Sequence, residues 1–137
     1  VGSNSTHGAI HDFVRRLKKD PSCLRVLGNG EQKKSYLHVS DCVRGMLFGA
    51  SKTPGPFQCY NLASHGVTQV KFIAEEVIRQ MGLNAKIEFE GGERGWRGDV
   101  AFTWLDGSAF EKVGYKASLD SDGAVRLAIS EIIRELS

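Results

Sequence analysis

Two guanidinium groups and an indole sit among glycines in Glu93-Arg94-Gly95-Trp96-Arg97-Gly98-Asp99. A guanidinium presents a planar fork of donors that meets two phosphate oxygens at once, and glycine lets backbone come close to a ligand. This segment therefore has the chemistry of an anion site, although a solvated surface loop has the same composition. Lys33 and Lys34, just before Tyr36, offer a second cationic contact to an anionic ligand, or a charged turn.

Other chemistry finds little support. The sequence contains no G-x-x-x-x-G-K-[ST], no G-x-S-x-G and no H-E-x-x-H. His7 and His11 are spaced to share a helix face, but no third ligand accompanies them, so no metal site is assigned. Arg97-Gly98-Asp99 spells an adhesion tripeptide that arises often by chance.

The elements that must position these residues follow from periodicity. Ser5 or Thr6 caps a helix with Ile10, Phe13, Val14 and Leu17 on one face. Strands are expected at Leu24 to Leu27 and Ser35 to Val39, separated by the Gly28-Asn29-Gly30 turn. Ser40 caps a second helix with Val43, Met46, Leu47 and Ala50 inward, ended by Pro54-Gly55-Pro56. Phe57 to Leu62 reads as a strand, and Thr68 starts a helix carrying Val70, Ile73, Ala74, Val77 and Ile78 and stopping at Gly82. Lys86 to Phe89 alternates as a half-buried strand. A short helix opens at Asp106 or Ser108 and closes at Gly114, and a last one carries Val125, Ala128, Ile129, Ile132 and Ile133. Repeated strand-to-helix transitions indicate a mixed α/β fold, read as a single domain over residues 1–137.

The 137 residues, 41% hydrophobic and 25% charged, suit one ordinary globular domain. Eighteen basic residues against 16 acidic ones leave no global field to steer the chain to nucleic acid or a membrane. Cys23, Cys42 and Cys59 read as reduced, buried thiols. No basic leader or apolar stretch of bilayer length is visible, so a cytoplasmic protein is expected.

Read in order, Gly2-Ser3-Asn4-Ser5-Thr6-His7-Gly8, Val26-Leu27-Gly28-Asn29-Gly30, Tyr36-Leu37-His38-Val39-Ser40-Asp41, Tyr60-Asn61-Leu62-Ala63 and Gly98-Asp99-Val100 resemble the C-terminal half of UDP-glucose 4-epimerase-like enzymes. These are NAD-dependent epimerases/dehydratases of the extended short-chain dehydrogenase/reductase type. The resemblance implies the C-terminal part of that fold without its N-terminal Rossmann portion, and a role in holding a nucleotide-diphosphate sugar. It puts Leu27 and Gly28 near the base or ribose and aligns Lys34, beside Tyr36, with a family arginine. It sets the diphosphate clamp in the loop around Gly98-Asp99, where Arg94 and Arg97 are both candidates. Asp41 and Asn61 match positions of structural character.

Ser3 and Asn4 stand where relatives commonly show Pro and Arg, and Trp96 where many place the clamping arginine. The family's G-x-x-G-x-x-G turn for NAD is not in the sequence. Four residues past Tyr36, Tyr60 and Tyr115 stand Ser40, Ser64 and Leu119, so no Tyr-x-x-x-Lys pair is present. No catalytic residue is therefore assigned, and no cofactor to this chain alone, NAD belonging to the full-length family. The resemblance also turns the Ser40–Ala50 helix and the Phe57–Leu62 strand toward the NAD-binding domain. Apolar area is worth about 25 cal/mol per Å² on burial, so the exposed faces imply a homo-oligomer or a separate dinucleotide-binding half. A self-standing oligomeric interaction module built on the same half-fold is the alternative.

Overall fold

A computed structural model describes residues 1–52, 55, 57–92, 95 and 98–137. Helix α1, Ala9–Lys19, turns Ile10, Phe13, Val14 and Leu17 into the core, as their spacing requires. Its N-cap is Gly8, which has no side chain to cap with, and the expected cap Ser5 lies outside the helix, its hydroxyl donating to the His7 carbonyl (2.8 Å). Strand β1, Cys23–Val26, alternates buried Leu24 and Val26 with exposed Arg25. It pairs in parallel with β4, Lys86–Phe89, in the register Cys23 to Lys86 through Val26 to Phe89.

A second sheet is built on β2, Lys33–Lys34, which pairs antiparallel with β3, Thr68–Gln69, and parallel with β5, Phe102–Thr103. The expected strand over Ser35–Val39 is thus shorter and earlier. Past Ser35 the backbone leaves the ladder: the Tyr36 N–H donates to the Ser121 hydroxyl (3.0 Å), and the Tyr36 carbonyl accepts from the Ser64 hydroxyl (2.6 Å). Thr68 likewise is a strand residue, not a helix cap. Its hydroxyl is held by Ser121 Oγ (2.7 Å) and Asp122 Oδ1 (2.6 Å), and helix α3 runs Val70–Gln80.

Helix α5, Ser121–Leu136, is capped by Asp120, whose carboxylate accepts from the Gly123 N–H (2.7 Å). It buries Val125, Ala128, Ile129 and Ile132 against α1 and α3, with Ile73 and Val77 of α3 completing one apolar core. The residues read as inward on α1, α3 and α5 are those the core uses.

Helix α2, Val39–Lys52, departs from the inward face its apolar spacing gave and agrees with the exposed face the resemblance implied. Asp41 and Gly45 face inward, whereas Val43 (49% exposed), Met46 (63%) and Leu47 (66%) point to solvent. The inward face is set by polar and aromatic contacts that hydrophobic spacing cannot show. Asp41 accepts from Ser118 N–H and Oγ (3.0 Å each) and from the Leu119 N–H (3.3 Å), and pairs with Arg44. A Cβ on Gly45 would meet the Leu62 side chain at 2.2 Å. Phe48 meets Phe110 edge-on at 5.7 Å between centroids; Phe110 lies on α4, Ser108–Lys112, and also stacks on Tyr60 at 4.9 Å.

Residues 57–62 form no strand, and Phe57 is 82% exposed. A strand needs a partner for its backbone groups, and none lies beside this segment among the described residues. Cys59 is exposed rather than buried. No helix is long and apolar enough to cross a membrane, among the described residues.

Candidate functional site

The parallel pairing of β1 with β4 brings the end of β1 alongside α1, and the β1–β2 turn folds under the start of α3. Gly30, at φ 79°, makes that turn; its carbonyl accepts from Lys71 N–H (2.9 Å), and the Gln32 carbonyl accepts from Val70 N–H (3.1 Å). Between these elements opens a cavity of about 680 Å³, within the size range of small-molecule sites. Phe13, Val26, Leu27 and Val70 give it apolar wall; His7, His11, Arg16 and Arg25 give it a basic side; Gln32, Lys34, Tyr36, Gly95 and Asp99 complete it.

Four of the residues expected from the sequence meet here, Leu27, Lys34, Tyr36 and Asp99, with Gly95 of the loop between the arginines beside them. Gly28 does not line the cavity. It stands behind the wall at φ 77° and accepts from the Gly91 N–H (3.1 Å), which ties the β1 end to the loop after β4. Arg94, Arg97 and their neighbours Glu93 and Trp96 lie outside the described residues.

Lys34 is not a free cation. Its Nζ donates to Asp99 Oδ1 at 2.6 Å, and Asp99 Oδ2 accepts from the Gly95 N–H at 3.1 Å. Burial pushes the Asp99 carboxyl up, but the Lys34 ammonium and the Gly95 and Val100 N–H groups outweigh it and hold the group below its ordinary value. Tyr36 is shifted the other way: burial, then the Asp99 charge, raise its phenol. Tyr115 is raised by burial and by Asp41. Both phenols are thus moved away from the lowered pKa that a proton-transfer tyrosine needs.

Arg16 and Arg25 of the basic side were not singled out from the sequence. Arg16 bonds Asp12 on the same helix at 2.8 Å and donates to the Arg25 carbonyl at 3.2 Å, fastening α1 to β1. In sequence both arginines look like solvated charges, and only the packing of α1 on β1 turns them toward one space. Gln32 was also missed: it is 2% exposed in a polar run without apolar periodicity.

The fold is mixed α/β and corresponds to the C-terminal part of the extended short-chain dehydrogenase/reductase fold. Residues 1–63 match the model of the NAD dependent epimerase/dehydratase family. Over 82 residues the chain is 37% identical to UDP-glucuronic acid decarboxylase 4 of Arabidopsis thaliana, a match covering 58% of this chain and 17% of that protein. It superposes on a UDP-galactose 4-epimerase with a TM-score of 0.85 and 30% identity, over 100% of this chain and 44% of that one. On UDP-glucose 4-epimerase of Thermotoga maritima, solved with UDP-glucose, the TM-score is 0.74 at 20% identity over 98% of this chain and 42% of the other, a likeness of fold. The chain therefore spans less than half the length of these relatives, and the resemblance read from its motifs is present in both sequence and fold.

The family name implies NAD. A dinucleotide pyrophosphate needs a glycine turn that runs from a strand straight into a helix N-terminus. Among the described residues β1 runs into β2, β4 into the Gly91-Gly92 loop, and the direct junction of β3 with α3, Gln69 to Val70, has no glycine. The described residues do not fit NAD.

Proposed function

We propose that these residues form the nucleotide-sugar-binding part of an NAD-dependent sugar epimerase or dehydratase, unable to carry out the hydride chemistry without a dinucleotide-binding portion. The observation that carries this reading is the cavity between α1, β1, β2 and α3, with an apolar wall at Val26 and Leu27 and a basic side at Arg16 and Arg25. An apolar wall suits the flat face of a base, and cations suit a diphosphate. The similarity to UDP-sugar epimerases supports the same ligand class. In this reading Leu27 packs on the nucleoside, Gly28 shapes the turn behind it, Tyr36 presents a neutral hydroxyl, the Lys34–Asp99 pair forms the far wall, and Arg94 or Arg97 clamps the diphosphate. A cytoplasmic setting belongs to the same reading.

The experiment is calorimetric titration of the protein with UDP-glucose and, separately, with NAD. Binding of UDP-glucose without NAD is expected; binding of neither would sink the proposal. One observation favours a second reading, an oligomeric interaction module: the exposed apolar face of α2 at Val43, Met46 and Leu47. A stable oligomer that binds neither ligand is the outcome that would select it.

A further inference from the structure

One buried polar atom at the cavity has no partner among the described residues. Gln32 is 2% exposed and lines the cavity, and its Oε1 accepts no hydrogen bond from any described residue. Its Nε2 donates to the Leu27 carbonyl at 3.4 Å. That contact fixes which way the amide points, because the reverse orientation would set two acceptor oxygens against each other. The orphan is therefore the carbonyl oxygen, an acceptor, in a place where leaving one unsatisfied is costly. The Lys34 ammonium is bonded to Asp99, and no bond from it to Oε1 is present.

We propose that Gln32 is a specificity-determining residue of this site, its side-chain carbonyl accepting a hydrogen bond from a neutral donor on the nucleoside. The inference rests on the function proposed above and refines it. An ionised diphosphate has no hydrogen to give, so its oxygens would be repelled by Oε1, and the donor must come from the nucleoside side of the ligand. The amide is bonded to Leu27, the residue assigned to the nucleoside wall, which fixes Gln32 beside that half of the ligand. Two groups of a uridine nucleotide carry such a donor: the imide N–H of the base and the ribose hydroxyls.

The test is a cycle of calorimetric titrations. Wild type and Gln32→Met are each titrated with UDP, N3-methyl-UDP, 2′-deoxy-UDP and 3′-deoxy-UDP. Gln32→Met is expected to weaken UDP about tenfold, the worth of one neutral hydrogen bond. One of the three analogues should cost wild type a similar factor and cost Gln32→Met nothing more, and its identity names the donor. Equal affinity of Gln32→Met and wild type for UDP would overturn the proposal and leave Oε1 to a water molecule. So would analogue losses of the same size in both proteins. If Gln32→Met does not fold, the wild-type titrations still decide: an analogue that loses about tenfold upholds the proposal, and wild type that binds all four nucleotides equally overturns it by itself. Wild type that binds neither UDP nor UDP-glucose brings down the proposed function instead, before any variant is made.

Discussion

Lys34 Nζ donates to Asp99 Oδ1 at 2.6 Å across the cavity wall, so a cation that the sequence offered to a ligand is neutralised within the protein. Asp99 is the more buried partner, its side chain 9% exposed against 34% for Lys34. Removing the lysine therefore leaves a mostly buried carboxylate unpaired. Lys34→Met is expected to cost about 1–3 kcal/mol of stability by urea unfolding while changing UDP affinity by less than about threefold. The opposite pattern, intact stability with a large loss of affinity, would put Lys34 on the diphosphate.

In the proposed function, with Lys34 engaged, the diphosphate would depend on the arginines after Gly92. Replacing Arg94 and Arg97 together with Ala should reduce UDP-glucose affinity by about a hundredfold or more, since each charge-assisted bond is worth about 1.5–3 kcal/mol. The two single variants identify which guanidinium serves, by calorimetry at fixed ionic strength. Unchanged affinity in the double variant would move the clamp to Arg16 and Arg25.

Gly30 carries the turn that holds α3 against the cavity. It has φ 79°, and a Cβ placed there would lie 2.3 Å from the Phe89 ring. Gly30→Ala is expected to lose about 2–4 kcal/mol, from backbone strain and from displacement of the ring. Urea unfolding of the variant reads this directly, and a loss below about 0.5 kcal/mol would show that ring and turn relax freely.

Acid should unfold the protein through identifiable carboxylates. Burial pushes Asp41 up, but the Ser118 and Leu119 N–H groups, the Arg44 guanidinium and the Ser118 hydroxyl outweigh it and hold it low. For Glu76 the bond from Arg79 leads, and burial opposes it. Groups with a folded pKa below the unfolded value stabilise fully above that value and lose the contribution as pH falls through the folded one. The contribution of these two carboxylates should therefore be fully present above about pH 5 and fall away below about pH 4. Asp41→Asn should lower the plateau and shallow the acid limb in pH-dependent urea unfolding; an unchanged limb would exclude Asp41.

The outward face of α2 should control association. Met46→Glu together with Leu47→Lys places charges where 63% and 66% of those side chains are exposed, so folding should be little affected. Light scattering is expected to show a smaller assembly than wild type at equal concentration. An identical mass for both would remove this face from the interface.

The helical core was largely legible because Val14, Leu17, Ile73, Val77, Val125 and Ile129 recur at helical spacing, and burying that spacing needs only a partner face. For helix α2 the apolar spacing alone pointed the wrong face inward, whereas the resemblance, which left that face uncovered here, matches its exposure. The inward contacts are made by Asp41, Gly45 and Phe48, which stand at helical spacing but are not an apolar stripe. The Phe57–Leu62 segment has strand composition without a strand to pair with, and the ladder, not propensity, decides. In the site, Leu27, Tyr36 and Asp99 came from the resemblance. Gln32, Arg16 and Arg25 did not, because their places follow from tertiary packing, of α1 on β1 and of the β1–β2 turn on α3.

That same pairing of residues 23–26 with 86–89 has a consequence for dissection of the protein. The cavity draws on side chains from Thr6 to Asp99, and no contiguous stretch carries more than part of it. Excised peptides will not bind, and a nick between β2 and α3 will be tolerated only while both pieces stay docked. Ligand occupancy then becomes a reporter of long-range assembly: a saturating nucleotide at a hundred times its Kd would hold the two pieces together with about 2.7 kcal/mol.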